Sequence, residues 1–134
     1  MKTLVLDSHA LLAYFERESG WEEVAHFLHE AAGGKCRLAM SAVNWGEICY
    51  VTLREYGADH LERVLHALDN MPVEIVDAGR EVAREAAWFK ARGGLSYADC
   101  FVCGLAKINR GAEIVTGDPE FHSVENIIAV RWIG

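Results

Sequence analysis

Only two prolines, Pro72 and Pro119, occur in the 134 residues, and no Pro/Gly-rich or low-complexity tract divides them. An interdomain linker is therefore not expected, and the length matches one domain, residues 1–134, able to bury a core. A run of about 18 uncharged apolar residues is also missing, which argues against a membrane span. The opening Met1-Lys2-Thr3-Leu4-Val5-Leu6-Asp7 meets an acid before a signal-peptide core could develop, so a cytoplasmic location is expected. Positive charge is short: 13 Lys and Arg face 20 Asp and Glu, a formal net charge of −7. That balance counts against a broad basic surface for phosphate backbones. Any polyanion must be held by metal ions, a local basic rim, a dimer or a partner.

Cysteines number four, at positions 36, 49, 100 and 103, and their spacing supplies neither a disulfide framework nor a full zinc site. Cys100-x-x-Cys103 lacks a second pair and falls inside a helical pattern, where a free thiol packs as a small hydrophobe.

What the chain does have is hydrophobic periodicity. Thr3 to Asp7 is a short apolar run ending in an acid, the mark of a buried strand. Ser8 is expected to cap a helix through Leu11, Leu12 and Phe15. Trp21 to Ala32 carries a helical stripe closed by Gly33-Gly34. Cys36 to Met40 reads as a strand, followed by a long helix capped by Ser41 and ended by Gly57. Asp59 to Asn70 reads as a further amphipathic helix. Val73 to Val76 is a third strand, and Asp77 is expected to cap a helix running to Gly93-Gly94. Ser96 opens another helix through Ile108, and Glu113 to Thr116 and Ile127 to Trp132 complete the strands. Strands alternating with helices of this length indicate crossover connections in a parallel sheet. The expected fold is α/β: a three-layer α/β/α sandwich with a central parallel sheet of about five strands.

Four acids are harder to place as ordinary structure. Asp7 ends the first strand and Asp118 follows the fourth, and ligands gather at the carboxyl ends of parallel strands where strand order reverses. Taken singly, Asp7 also fits a helix cap and Asp118 a turn in Gly117-Asp118-Pro119. Glu47 lies mid-helix among apolar neighbours, next to Gly46, whose cost there of about 1 kcal/mol against Ala suggests a close backbone approach or a packing need. Asp99 fits a capping box, Ser96-x-x-Asp99, and that role is compatible with holding a ligand. Carboxylates brought together repel unless a cation neutralises them, and an all-oxygen set suits Mg²⁺ or Mn²⁺ rather than zinc.

Thr3 to Ser8 with the helix Leu11-Leu12-Ala13-Tyr14-Phe15 resembles the opening of a PIN domain. Asn44 to Glu47 resembles its second acidic motif, Leu95-Ser96-Tyr97-Ala98-Asp99 its third, and Thr116-Gly117-Asp118-Pro119-Glu120-Phe121 its fourth. The compact length and the Leu-Ser-Tyr-Ala-Asp segment are most similar to the VapC toxins of toxin–antitoxin pairs. The resemblance covers essentially the whole chain. It implies a sheet ordered 3-2-1-4-5 and a divalent-metal-dependent endoribonuclease that leaves 5′-phosphate and 3′-hydroxyl ends. A homodimer and a cognate antitoxin that blocks the site are also implied. Asp7, Asp99 and Asp118 would be metal ligands and catalytic residues, with Glu47 a ligand through water or the group that orients the attacking water. Ser8, Asn44 and Thr116 would orient those acids. Two other readings stand beside this one, a non-catalytic PIN-like interaction module and a structure-specific DNA nuclease.

The remaining chemistry-bearing residues have simpler roles at this level. His26 and His29 read as a solvated helix face, and His9 as pointing away from Asp7. Arg54, Arg92 and Lys107 could touch phosphates but fit solvated charge. Trp21, Trp45, Trp88 and Trp132 fit core or interface packing.

Overall fold

Alternation within the first strand organises the molecule. In the computed structural model, which describes residues 1–134, β1 (Lys2–Leu6) sends Leu4 and Leu6 to one face of the sheet and Val5 to the other. The helices that follow are α1 (Ser8–Glu16) and α2 (Trp21–Ala32), then β2 (Cys36–Ser41), α3 (Ala42–Tyr56) and α4 (Ala58–Asp69). Next come β3 (Val73–Val76), α5 (Arg80–Arg92), α6 (Tyr97–Ile108) and β4 (Glu113–Thr116), and a 3-10 helix (Pro119–Val124) precedes β5 (Val130–Trp132).

The five strands form one parallel sheet in the order β3-β2-β1-β4-β5, as the resemblance implies. Two apolar clusters fill its two sides. Leu4, Leu6, Leu38 and Met40 meet Leu11, Val24, Ile48 and Leu68 from α1 to α4. Val5, Ala39 and Ile114 meet Val82, Phe89, Val102 and Leu105 from α5 and α6. The three-layer sandwich thus follows from strands whose alternate residues are apolar on both faces.

β1 lies between β2 and β4, with Leu6 level with Val115. The chain leaves β1 toward β2 and later returns on the opposite side at β4, so a crevice opens at their carboxyl ends. The chain segments after β1 and β4 both face it.

Several local expectations need correction. Asp7, not Ser8, caps α1: its backbone is extended and its Oδ1 accepts from Ala10 N–H at 2.8 Å. Gly79 rather than Asp77 precedes α5, with no side-chain cap. The last strand is shorter than Ile127–Trp132, because Ile128 turns into the core before Val130 joins β4. Gly46 meets no close neighbour, since a Cβ there would have nothing within 4 Å. The close helix approach is at Gly104, where a Cβ would lie 2.9 Å from Val82 O and 3.0 Å from Ala86 N of α5.

All four cysteines are free. Cys100 and Cys103 are buried in the α6 core, and burial pushes the Cys103 thiol up to about 12, which removes its thiolate from ordinary pH. Of the two packing roles expected of Trp88, the core is excluded, with 49% of its surface exposed. No helix is long and apolar enough to cross a membrane.

Candidate active site

The crevice floor is Asp7. It is only 1% exposed, and both carboxylate oxygens are engaged: Oδ1 by Ala10 N–H, Oδ2 by the Thr116 hydroxyl. Thr116, the last residue of β4, also accepts from the Asp118 N–H at 3.0 Å. One hydroxyl therefore ties the end of β1 to the turn after β4, possible because these strands are neighbours. Burial is the largest influence on Asp7, and Asp99 and Asp118 add repulsion, so its carboxyl is pushed up to about 7 despite the two hydrogen bonds.

Asp99 stands in the first turn of α6. Ser96 caps that helix by accepting from the Asp99 N–H at 3.2 Å, so the backbone role and the carboxylate are separate. Burial first, then repulsion from Glu47, Asp118 and Glu120, pushes the Asp99 carboxyl up to about 6, against a stabilising bond with Ser96. Asp118 caps the 3-10 helix, accepting from Glu120 N–H at 2.9 Å.

Glu47 projects from α3 and is half-buried. The buried Asn44, one turn earlier, donates to Glu47 Oε1 at 3.0 Å and to Ala98 O at 3.0 Å. A single amide thus holds Glu47 and clamps α3 to the start of α6. Its Oδ1 is buried without a partner, leaving an acceptor beside the acids for a water or hydroxyl.

Carboxylate oxygens of Asp99, Asp118 and Glu120 all lie within 4.8 Å of one another, close enough to share one dication. Two of these, Asp99 and Asp118, are among the four expected acids. Glu120 is the residue that sequence reasoning passed over. It lies inside the fourth acidic motif, Thr116 to Phe121, but an exposed Glu in a turn reads as solvated charge until the 3-10 helix folds it back beside Asp118. Asp7 and Glu47 are outside this trio but near enough to repel it, Asp7 acting with Asp99 and Asp118 and Glu47 with Asp99. Ser8 makes no hydrogen bond to an acid, unlike Asn44 and Thr116. His9 stands at Gly117. Its Nε2 would meet a Cβ on Gly117 at 2.7 Å, so its ring lies over the residue before Asp118.

Every ion pair in the structure lies elsewhere, and no lysine or arginine pairs with any of these five acids. Unbalanced, all-oxygen and partly desolvated, the donor set fits a hard divalent cation.

Comparison with known proteins bears on the same residues. The PIN domain family matches residues 4–127. No curated protein sequence matches the chain. Solved structures of toxin–antitoxin proteins, several of them VapBC complexes, are similar over nearly its whole length. VapBC2 from Rickettsia felis, bound to a DNA fragment from its promoter, gives a TM-score of 0.74 at 15% identity, covering 98% of this chain and 99% of that one. DNA-bound VapBC from Salmonella typhimurium gives 0.74 at 19% identity, covering 98% of each chain. VapC20 from Mycobacterium tuberculosis, a sarcin-ricin loop cleaving toxin, gives 0.71 at 11% identity, covering 90% of this chain and 94% of that one. At such identities the likeness is one of fold. The sheet order, the acids around the crevice and the match over residues 4–127 together make this chain a member of the PIN domain family.

Proposed function

We propose that the protein is a Mg²⁺- or Mn²⁺-dependent endoribonuclease that hydrolyses RNA phosphodiester bonds as the toxin of a toxin–antitoxin pair. The observation that carries this reading is the convergence of Asp99, Asp118 and Glu120 near the buried Asp7, with no basic side chain to neutralise them. Asp7, Asp99 and Asp118 would hold the ion, with Glu120 a further ligand. When bound, the ion supplies a Lewis acid for the phosphate and acidifies the attacking water.

The chain's own residues do the positioning. Thr116 and Ala10 N–H fix the Asp7 carboxylate, so its geometry is set before any ligand arrives. Asn44 fixes Glu47 at the side of Asp99, where its second oxygen can orient a water for in-line attack. Cleavage on the 3′-hydroxyl side of the phosphate then leaves a 5′-phosphate. A homodimer and an antitoxin that covers the acids belong to the same proposal.

The test is Mg²⁺-dependent cleavage of RNA by the wild type and by Asp99→Asn. Ser96 caps α6 through the Asp99 backbone, so the variant should keep its circular dichroism spectrum and lose cleavage. Unchanged cleavage would remove Asp99 from the centre. Single-stranded RNA, structured RNA and flap DNA in parallel separate a ribonuclease from a DNA nuclease. Titration calorimetry with Mn²⁺ separates both from a non-catalytic module, which gives no site-specific heat.

A further inference from the structure

The arginines and lysines of this acidic chain are not used evenly. Lys2 and Arg131 pair with Glu113, Arg37 with Glu74, and Arg54 with Glu55. Arg80, Arg84 and Arg92 on α5, and Lys107 on α6, are exposed and have no carboxylate partner. Arg80, Arg84, Trp88 and Arg92 recur at every fourth residue, so they form a slowly winding stripe that advances about 6 Å per step along α5. Lys107 joins Arg80, Arg84 and Trp88 around an open groove between the two helices. At its centre is the half-exposed indole of Trp88, with the Arg92 guanidinium 5.2 Å and the Lys107 ammonium 5.8 Å from the ring centroid. The ring is braced edge-on against buried Phe89, at 5.0 Å between centroids.

This stripe leads to the acids. Only residues 93–96 join α5 to α6, and Gly104 of α6 faces Val82 and Ala86, so the helices fold back on each other and the Arg92 end of α5 lies beside the Asp99 end of α6. The connecting Gly94 abuts Ser123, 3.3 Å from its position for a Cβ, in the 3-10 helix that carries Glu120.

We propose that Arg80, Arg84, Trp88, Arg92 and Lys107 form a docking track for single-stranded RNA leading into the acid cluster, with cations on phosphates and Trp88 stacked on a base. The identity of the polyanion rests on the nuclease reading above. Single-stranded polynucleotide fits better than an acidic protein surface, because phosphates and an unpaired base engage alternating cations and an exposed indole together. Strands held this way are gripped by backbone and ring faces, so the track is tolerant of sequence. Glu81 and Glu85 border the groove and limit its net charge. The track also answers the net charge of −7: the basic rim is local, on one helix pair, and the excess of acid lies elsewhere.

The experiment reads binding separately from cleavage. Fluorescence anisotropy in EDTA follows a labelled single-stranded RNA long enough to run the length of α5, across a salt series. Removing three phosphate contacts in the triple variant Arg84→Gln, Arg92→Gln, Lys107→Gln should flatten the slope of log affinity against log salt by about 2. Trp88→Ala should weaken binding by roughly tenfold or more, with the slope unchanged. In Mg²⁺, the triple variant should cleave the long RNA more slowly than the wild type. An unchanged slope and affinity overturns the track. So does intact RNA binding alongside a changed sedimentation coefficient, which would assign the stripe to contact between copies. If the wild type binds with the expected slope yet cleaves nothing, the nuclease reading fails while the track stands.

Discussion

Asp7 bears the largest electrostatic burden at the site, and its consequences can be signed. An acid whose carboxyl is pushed up to about 7 on folding binds its proton more tightly in the folded chain than in the unfolded one. Its stabilising contribution is therefore complete below the ordinary carboxylate range near 3.8 and is lost as pH rises through about 7. Asp7→Asn removes the charge and keeps an acceptor for Ala10 N–H, while the amide NH2 that replaces the second oxygen donates to the Thr116 hydroxyl instead of accepting from it. In EDTA near pH 8 the variant should melt roughly 5–10 °C above the wild type, by a few kcal/mol. Near pH 5 the gap should shrink. A lower melting temperature for the variant at both pH values would make Asp7 a simple helix cap. Glu120 invites the complementary measurement. Glu120→Gln should leave the metal-free melting temperature within about 2 °C of wild type, since the residue is exposed, yet weaken Mn²⁺ binding in calorimetry. Unaltered Mn²⁺ affinity would exclude it from the ligand set.

At the scale of elements, two glycines inside helices behave oppositely, and sequence alone treats them alike. Gly46 in α3 is open around its missing side chain, so Gly46→Ala should stabilise the fold by about 1 kcal/mol through helix propensity. Gly104 in α6 is pressed against the backbone of α5, so Gly104→Ala should destabilise it by roughly 1–3 kcal/mol, read by urea denaturation. Helix propensity predicts a gain at both positions, and two gains would show that α5 and α6 can part without cost. Asn44 is the other element-level joint, because one buried amide holds α3, Glu47 and α6 together. The helix Trp21–Ala32 and the strands Val73–Val76 and Glu113–Thr116 were legible to the residue, since periodicity and glycine breaks are local signals. Caps were legible where a serine precedes the helix, at Ser41 and Ser96. They were misread where the preceding strand had already delivered an acid, as at Asp7, or where no side chain caps at all, as at Gly79.

For the whole molecule, one group of acids and one group of cations stand apart. Asp7, Glu47, Asp99, Asp118 and Glu120 gather at the carboxyl edge of the sheet, and Arg80, Arg84, Arg92 and Lys107 stand on α5 and α6 without carboxylate partners. A dication that binds only the folded protein should stabilise it by linkage, about 2.7 kcal/mol at a hundredfold excess over Kd. The rise in melting temperature with Mg²⁺ should be larger for the wild type than for Asp7→Asn, because the ion relieves a repulsion the variant lacks. Equal rises in both would separate metal binding from Asp7. The alternation of apolar strands and amphipathic helices determined, from sequence alone, the α/β sandwich and the chain positions of Asp7, Glu47, Asp99 and Asp118. Those are properties of the few residues on either side. Only the tertiary structure decided that Glu120 joins Asp99 and Asp118 while Asp7 stays outside their trio, and that Trp88 stands in water between Arg92 and Lys107. Each of those outcomes depends on how close two segments remote in sequence come to rest, a distance fixed by packing across the sheet and between helices.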